Sequence, residues 1–279
     1  MNEDINKIFW VASYPKSGNT WLRAFLTSYL YTVDGEFNNF EILDKIIRFE
    51  SSRFFSTIVN HEDIINNPDK ISKYWIKVQN EIVSNTEEYV FVKTHNFCGS
   101  INKNPFTSSK YTKGFIYLVR DPRAVAVSFA NHTKESIDGV IESMLSENPK
   151  YVSNSGAYPS FYFNWKINYF SWKQFKNIVP GLIIRYEDLF NTESFFKITK
   201  FLDDLNIYTS DTIKAMTSIK STSFRKLNEL ENKFGFEEAG TNKFFYKGKK
   251  NNWKNILNKN QLEKIEKSLS LEMKELEYI

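Results

Sequence analysis

Four short apolar runs stand out along the chain: Ile8–Ala12 (IFWVA), Tyr89–Val92 (YVFV), Phe115–Val119 (FIYLV) and Leu182–Arg185 (LIIR). Each is bounded by polar or turn-forming residues. Near-continuous apolar runs of this length suit strands buried on both faces. Between and after them the apolar positions fall at helical spacing. Over Thr20–Leu30 they are Trp21, Leu22, Phe25, Leu26, Tyr29 and Leu30. Further helices are predicted over Pro122–Asn131, Ser160–Phe175 and Phe195–Leu205, with a closing helix over Asn260–Glu277. Strands alternating with helices predict an α/β fold, a parallel sheet flanked by helices on both faces. The polar stretch Asn228–Lys250, carrying Gly235, Gly240 and Gly248, is expected to be a C-terminal lid loop returning to the ligand-bearing edge.

In such sheets ligands bind beyond the carboxyl ends of the strands. A polar segment follows each apolar run there: SYPKSGN from Ser13, then Lys93-Thr94-His95, then Arg120–Arg123 (RDPR), then Tyr186–Leu189 (YEDL). Lys16, Ser17, Gly18, Asn19 and Thr20 lead from the first strand into a helix. Backbone amides and the dipole at a helix start favour an anion. Gly18 lets the backbone approach, Lys16 adds charge, and Ser17 and Thr20 add hydroxyls. The plainer reading is a strand-to-helix turn capped by Thr20. Lys16 precedes the only glycine of the loop and is not in the G-K-[ST] order of a nucleotide triphosphatase, so the sheet is P-loop-like without the full motif.

His95 can accept a proton from a hydroxyl or amine near neutral pH, or be a structural histidine. Arg120 and Ser128 offer a guanidinium fork and a hydroxyl, good chemistry for a terminal phosphate. The alternative is an Arg120–Asp121 surface pair with Ser128 as packing. Lys247, Lys249, Lys250 and Lys254 surround Gly248, as a basic lid or as a solvated loop.

Composition narrows the classes. The chain has 279 residues, 41% of them hydrophobic, without a linker or repeat, which predicts a single domain over 1–279. The net charge of +4 fits an anionic ligand better than a nucleic-acid partner. Cys98 is the only cysteine, and no apolar run approaches the roughly 20 residues of a membrane span, so a soluble, cytoplasmic protein is expected. No metal-ligand spacing and no G-x-S-x-G elbow occur, so neither a metal site nor a serine hydrolase is expected.

Taken in order, these segments resemble the PAPS-dependent sulfotransferases, PAPS being 3′-phosphoadenosine 5′-phosphosulfate. SYPKSGNTW is similar to the family's 5′-phosphosulfate loop and VRDPRAVAVSF to its 3′-phosphate segment. VKTH is similar to the stretch with the catalytic histidine. RYEDL and STSFRKL resemble adenine-contacting segments, and YKGKKNNWKN the closing lysine-glycine motif. The SGNTW form and the compact length are closer to bacterial members. The resemblance implies that Lys16 contacts the sulfuryl group, that Ser17, Gly18, Asn19 and Thr20 hold the 5′-phosphate, and that Trp21 stacks on adenine. It implies Arg120 and Ser128 on the 3′-phosphate, and Tyr186, Thr222, Ser223 and Phe224 around adenine. Lys247 and Gly248 would close over the 3′-phosphate. His95 would be the base, with Lys93 stabilising the transferring group, and no metal would be needed.

The chain departs from the family at Tyr246, where Arg is usual, and at Asn251-Asn252, where Gly-Asp is usual. One 3′-phosphate contact would then be either missing or supplied by Lys249 or Lys250. A family dimer contact would fall on Asn258-Lys259, which does not match it, so the oligomeric state stays open. The acceptor, a small molecule or saccharide, is expected at Ser100–Lys113 and Thr133–Tyr158, where Phe106, Tyr111, Tyr151 and Tyr158 are either pocket or packing residues. The competing functions are a P-loop nucleotide kinase or triphosphatase and a non-catalytic nucleotide-binding relative.

Overall fold

The computed structural model describes residues 5–51, 53–148, 150–152, 158–239, 244–245 and 252–279. They group into two compact units. The first comprises Met1–Pro15, Ile46–Val119 and Glu142–Ile183; the second comprises Lys16–Lys45, Arg120–Ile141 and Ile184–Ile279.

The first unit carries the sheet as far as Ile183, within its last strand. Its strands are β1 (Ile8–Ser13), β2 (Ile47–Arg48), β3 (Val90–Thr94), β4 (Thr112–Val119) and β5 (Gly181–Arg185), in the order β2-β3-β1-β4-β5. β1 pairs in parallel with β3, Ala12 opposite Thr94, and with β4, Ser13 opposite Leu118. β2 pairs in parallel with β3. Ser13, Thr94 and Val119 therefore end on one sheet edge. All six residues of β1 are buried, as an unbroken apolar run in a central strand demands. Trp10 anchors the core: its indole N–H donates to Thr112 Oγ1 at 3.1 Å, and its ring meets Phe49, Phe106 and Trp172. The helix Trp75–Ser84 packs there through Trp75 on Phe106, and the helix Trp165–Phe175 through Trp172 on Phe115.

In the second unit, the helix Asn19–Tyr31 buries eleven of its thirteen residues. Phe25 packs on Phe195, and Tyr29 on Tyr208. The helix Pro122–Thr133 opens with Pro122 behind Asp121, whose carboxylate caps Arg123 N. Arg123 forks onto Asp121 and also reaches Glu266 and the carbonyl of Tyr278, fixing the chain's last helices to this one.

The four expected strands are present, within one to three residues at their ends. β2 is an edge strand of two residues, too short to leave a pattern. Two helical expectations and one loop expectation are corrected. Ser160–Phe161 pairs with Tyr151–Val152 as a short hairpin, and the helix starts at Trp165, because Asn164 caps it by accepting from Ile167 N. The closing helix is interrupted at Leu269 (φ −118°, ψ 19°), giving Lys259–Ser268 and Ser270–Glu275. The polar stretch from Asn228 begins as helix: Phe224–Phe234 runs to Gly235, whose φ of +73° ends it. Leu227 and Glu231 are that helix's buried positions, and a carboxylate on the buried stripe hides its period. Glu231 is buried because it accepts from Phe244 N and Phe245 N.

Candidate active site

The loop Lys16–Thr20 belongs to the second unit. Lys16 and Gly18 both adopt left-handed backbone, φ 65° and 95°. Gly18 is the N-cap of the Asn19–Tyr31 helix and makes no side-chain capping bond. Trp21 N donates to the Gly18 carbonyl at 3.0 Å, and no side chain caps the start. Thr20 is not the cap; it lies inside the helix, and its hydroxyl donates to Glu238 at 3.2 Å. Ser17 is fully buried, and its hydroxyl has no hydrogen-bond partner among the described residues. A buried hydroxyl left so costs about 1–3 kcal/mol. A helix start without a side-chain cap, a buried donor and a lysine at one turn fit a bound phosphate group.

Charge at the loop is consistent with that. Burial, and then the neighbouring Arg120, lower the pKa of Lys16 to about 8, while Glu238 pulls it the other way. Arg120 donates through Nη1 to the Lys16 carbonyl at 2.9 Å and lies 4.3 Å over the Tyr186 ring. The Lys16 ammonium lies 4.9 Å from the Phe244 ring. Glu238 also pairs with the buried Arg23 at 2.8 Å, so the segment after Gly235 does return to this helix start. Asp121 pairs with Arg123 at 2.8 Å.

Trp21 lies in an aromatic cluster with Tyr186, Phe190, Phe195 and Phe224. Its indole N–H donates to the Thr222 carbonyl at 2.8 Å. Thr222 is fully buried and its hydroxyl donates back to Ser218 O, so Thr222 contributes its backbone to this cluster. Ser223 is half-buried at the start of the Phe224–Phe234 helix, and Ser128 is half-buried in the second turn of its own. Lys247 and Gly248, with Tyr246, Lys249, Lys250 and Asn251, lie outside the described residues. Phe190 and Phe195 escape sequence reading, because isolated aromatics carry no periodic signal of a shared cluster.

His95 belongs to the first unit, directly after β3. Its Nδ1 is 2.8 Å from the Ser13 carbonyl and 3.2 Å from the Ser13 hydroxyl. A carbonyl only accepts, so Nδ1 carries the proton, and the neutral ring has its lone pair on Nε2. The His95 carbonyl accepts from Asn168 Nδ2 at 3.0 Å. Lys93 sits within β3, opposite Val11 on one side and Arg48 on the other.

A family model described as "Sulfotransferase domain" matches residues 6–277. The chain belongs to the sulfotransferase family. Flavonol 3-sulfotransferase of Flaveria bidentis is 26% identical over 278 residues, covering 94% of this chain and 80% of that protein. A mouse sulfotransferase solved with PAP shares the fold at a TM-score of 0.60 and 20% identity, covering 96% of this chain and 84% of that one. Retinol dehydratase solved with androsterone and inactive cofactor PAP has a TM-score of 0.62 at 17% identity, covering 96% and 81%. These neighbours share the α/β architecture, a parallel sheet with flanking helices.

Among the aromatics near the sulfotransferase's expected acceptor loops, Phe106 is core. It is fully buried against Trp10, Phe49 and Trp75 because it tops the central strand's packing. Tyr158 is buried on Phe55, Tyr111 is buried, and Tyr151 is 46% exposed. Burial pushes the Cys98 thiol well up, which disfavours its thiolate. Among the described residues, no group of three or more His, Cys, Asp or Glu could hold a metal, and no helix is long and apolar enough to cross a membrane.

Proposed function

We propose that this sulfotransferase moves a sulfuryl group from PAPS to a hydroxyl, less readily an amine, of a small-molecule or glycan acceptor, with His95 as general base. The observation that carries the donor assignment is the uncapped helix start with Ser17's buried, unpartnered hydroxyl beside Lys16. Ser17, Gly18, Asn19 and Thr20 hold the 5′-phosphate, Arg120 and Ser128 the 3′-phosphate, and the cluster of Trp21, Tyr186 and Phe224 receives adenine. Ser223 and the Thr222 backbone support that cluster, and Lys247 and Gly248 complete the 3′-phosphate contacts. The PAP named with the solved neighbours supports this nucleotide.

When bound, PAPS supplies an activated sulfuryl group on a phosphate leaving group. His95 Nε2 takes the acceptor's proton as the acceptor oxygen bonds to sulfur, and the bond from sulfur to the 5′-phosphate oxygen breaks. Lys16 neutralises the charge left on that oxygen, and Lys93 assists at the sulfuryl oxygens. The Ser13 carbonyl keeps the imidazole in the tautomer that can accept. The chain works as one sulfotransferase domain, consistent with a family match spanning residues 6–277. A cytoplasmic setting fits the single cysteine.

A single-turnover assay with sulfur-labelled PAPS and pooled phenols, flavonols, steroids and monosaccharides tests this. Label transfer without added metal is the expected result. Transfer only of phosphate from ATP with Mg²⁺ would make the protein a kinase, and binding of PAP without any transfer would make it a non-catalytic relative.

A further inference from the structure

The segment that carries His95 is gripped from both sides, and one carboxylate joins the two grips. Glu50 follows β2 in a short 3-10 turn, Phe49–Ser51, and is only 7% exposed. Its Oε1 accepts from Thr94 Oγ1 at 2.6 Å, from Asn96 Nδ2 at 2.7 Å and from Ser160 Oγ at 3.2 Å. Thr94 and Asn96 flank His95, and both are fully buried. Thr94 Oγ1 also accepts from Asn96 N at 2.9 Å, closing a ring of bonds around the His95 backbone. Asn96 Oδ1 accepts from Phe161 N at 2.7 Å, and Asn96 O from the Trp172 indole at 2.9 Å. A carboxylate is a costly filler for a buried space, which apolar residues occupy more cheaply. Here it is the common acceptor for both neighbours of one half-buried histidine.

We infer that Glu50 is a positioning residue for sulfuryl transfer: by holding Thr94 and Asn96 it fixes the backbone of His95, and with it the line along which Nε2 meets the acceptor proton. This rests on His95 being the base. Glu50 itself needs no contact with donor or acceptor. Misplacing a catalytic group by about 1 Å costs on the order of a hundredfold in rate, so a rigid seat for His95 has a kinetic consequence.

Glu50→Gln tests it, since the amide keeps the shape and one acceptor oxygen but loses the charge. The expected result is a kcat lowered by about tenfold or more, with the KM for PAPS and the affinity for PAP within about twofold of wild type. In a His95→Ala background the same substitution should cost nothing further, because its route of action is gone. Transfer to the pooled acceptors, or slow transfer to water read as PAP released from PAPS, supplies the rate. Nitrogen NMR of the imidazole supplies a readout free of any acceptor: Glu50→Gln should weaken the protonated Nδ1 signature set by Ser13. Thr94→Val and Ser160→Ala each remove one of the three bonds and keep the test alive should Glu50→Gln fail to fold. Unchanged kcat in folded variants, an equal loss in the His95→Ala background, or a KM rise matching the kcat loss would overturn the inference. Near-wild-type turnover in His95→Ala would instead remove the base reading. An inactive His95→Ala beside fully active Glu50→Gln and Thr94→Val would remove only the positioning role.

Discussion

The loop at Lys16–Thr20 and the segment around His95 are built on opposite principles. Around His95 the polar groups are tied down: Thr94, Asn96, Asn168 and the Trp172 indole all donate to or accept from fixed partners. The loop is less tied down: the helix start lacks a side-chain cap, Ser17's hydroxyl is buried without a partner among the described residues, and burial lowers the pKa of Lys16 to about 8. A base must keep one orientation through a reaction, which the bonds around His95 would provide in its proposed role. A proposed anion site gains when an anion meets a donor still open, as the Ser17 hydroxyl is among the described residues. On the proposed assignment, the protein leaves a donor open where it receives and ties its groups down where it acts.

The largest effect that can break this contrast is on turnover. His95→Ala should lower the single-turnover rate by about a hundredfold or more while calorimetry shows PAP binding nearly unchanged. Lys16→Ala should cost a similar factor in rate, on the order of a hundredfold, and should weaken PAP binding as well.

Lys16 also sets a pH dependence. Its pKa in the free protein is lowered to about 8 from the ordinary lysine value, and a bound anion raises it again. Binding therefore takes up a proton above pH 8, and PAP affinity falls as pH rises beyond that point; Lys16→Met should flatten the profile. For stability the sign is the reverse of a salt bridge. The folded state binds fewer protons than the unfolded one between pH 8 and the unfolded lysine value, so Lys16 disfavours folding below that window and ceases to do so above it. Urea melts across that range, wild type against Lys16→Met, read this directly.

Two smaller effects sharpen the contrast. Ser17→Ala should leave the free protein as stable or slightly more so, because a buried unpartnered hydroxyl is removed, yet weaken PAP by about tenfold. A thermal melt run with and without PAP separates the two signs. Glu238→Gln removes a negative charge that holds Thr20 and Arg23 at the helix start, so PAP should bind a few-fold tighter. An unchanged or lower affinity in calorimetry would mean that the carboxylate is merely a tether for Arg23.

Most of what positions the site was legible in the chain, for physical reasons. Buried parallel strands are written as apolar runs, and each is followed by the polar residues of the ligand edge, so β1, β3, β4 and β5 and the segments after them could be read. Strand β2 could not, since two residues carry no period. The helix Phe224–Phe234 was obscured because its buried face includes Glu231, a polar residue satisfied only by the distant amides of Phe244 and Phe245. Glu50 and Glu238 were invisible for the same reason: each acts through partners far away in the sequence. Phe106 could be read as pocket or as packing and is core; a loop sequence does not reveal which of its aromatics turns inward. Lys247 and Gly248 belong to the proposed 3′-phosphate contacts on sequence alone.

The most direct test is a calorimetric titration of the wild-type protein with PAP, 5′-AMP and ATP with Mg²⁺, at pH 7 and pH 9. PAP should bind without metal, about tenfold or more tighter than 5′-AMP because the 3′-phosphate adds charge-assisted bonds, and more weakly at pH 9 than at pH 7. Tighter binding of ATP with Mg²⁺, or a PAP affinity indifferent to the 3′-phosphate, would contradict the account of the Lys16–Thr20 loop.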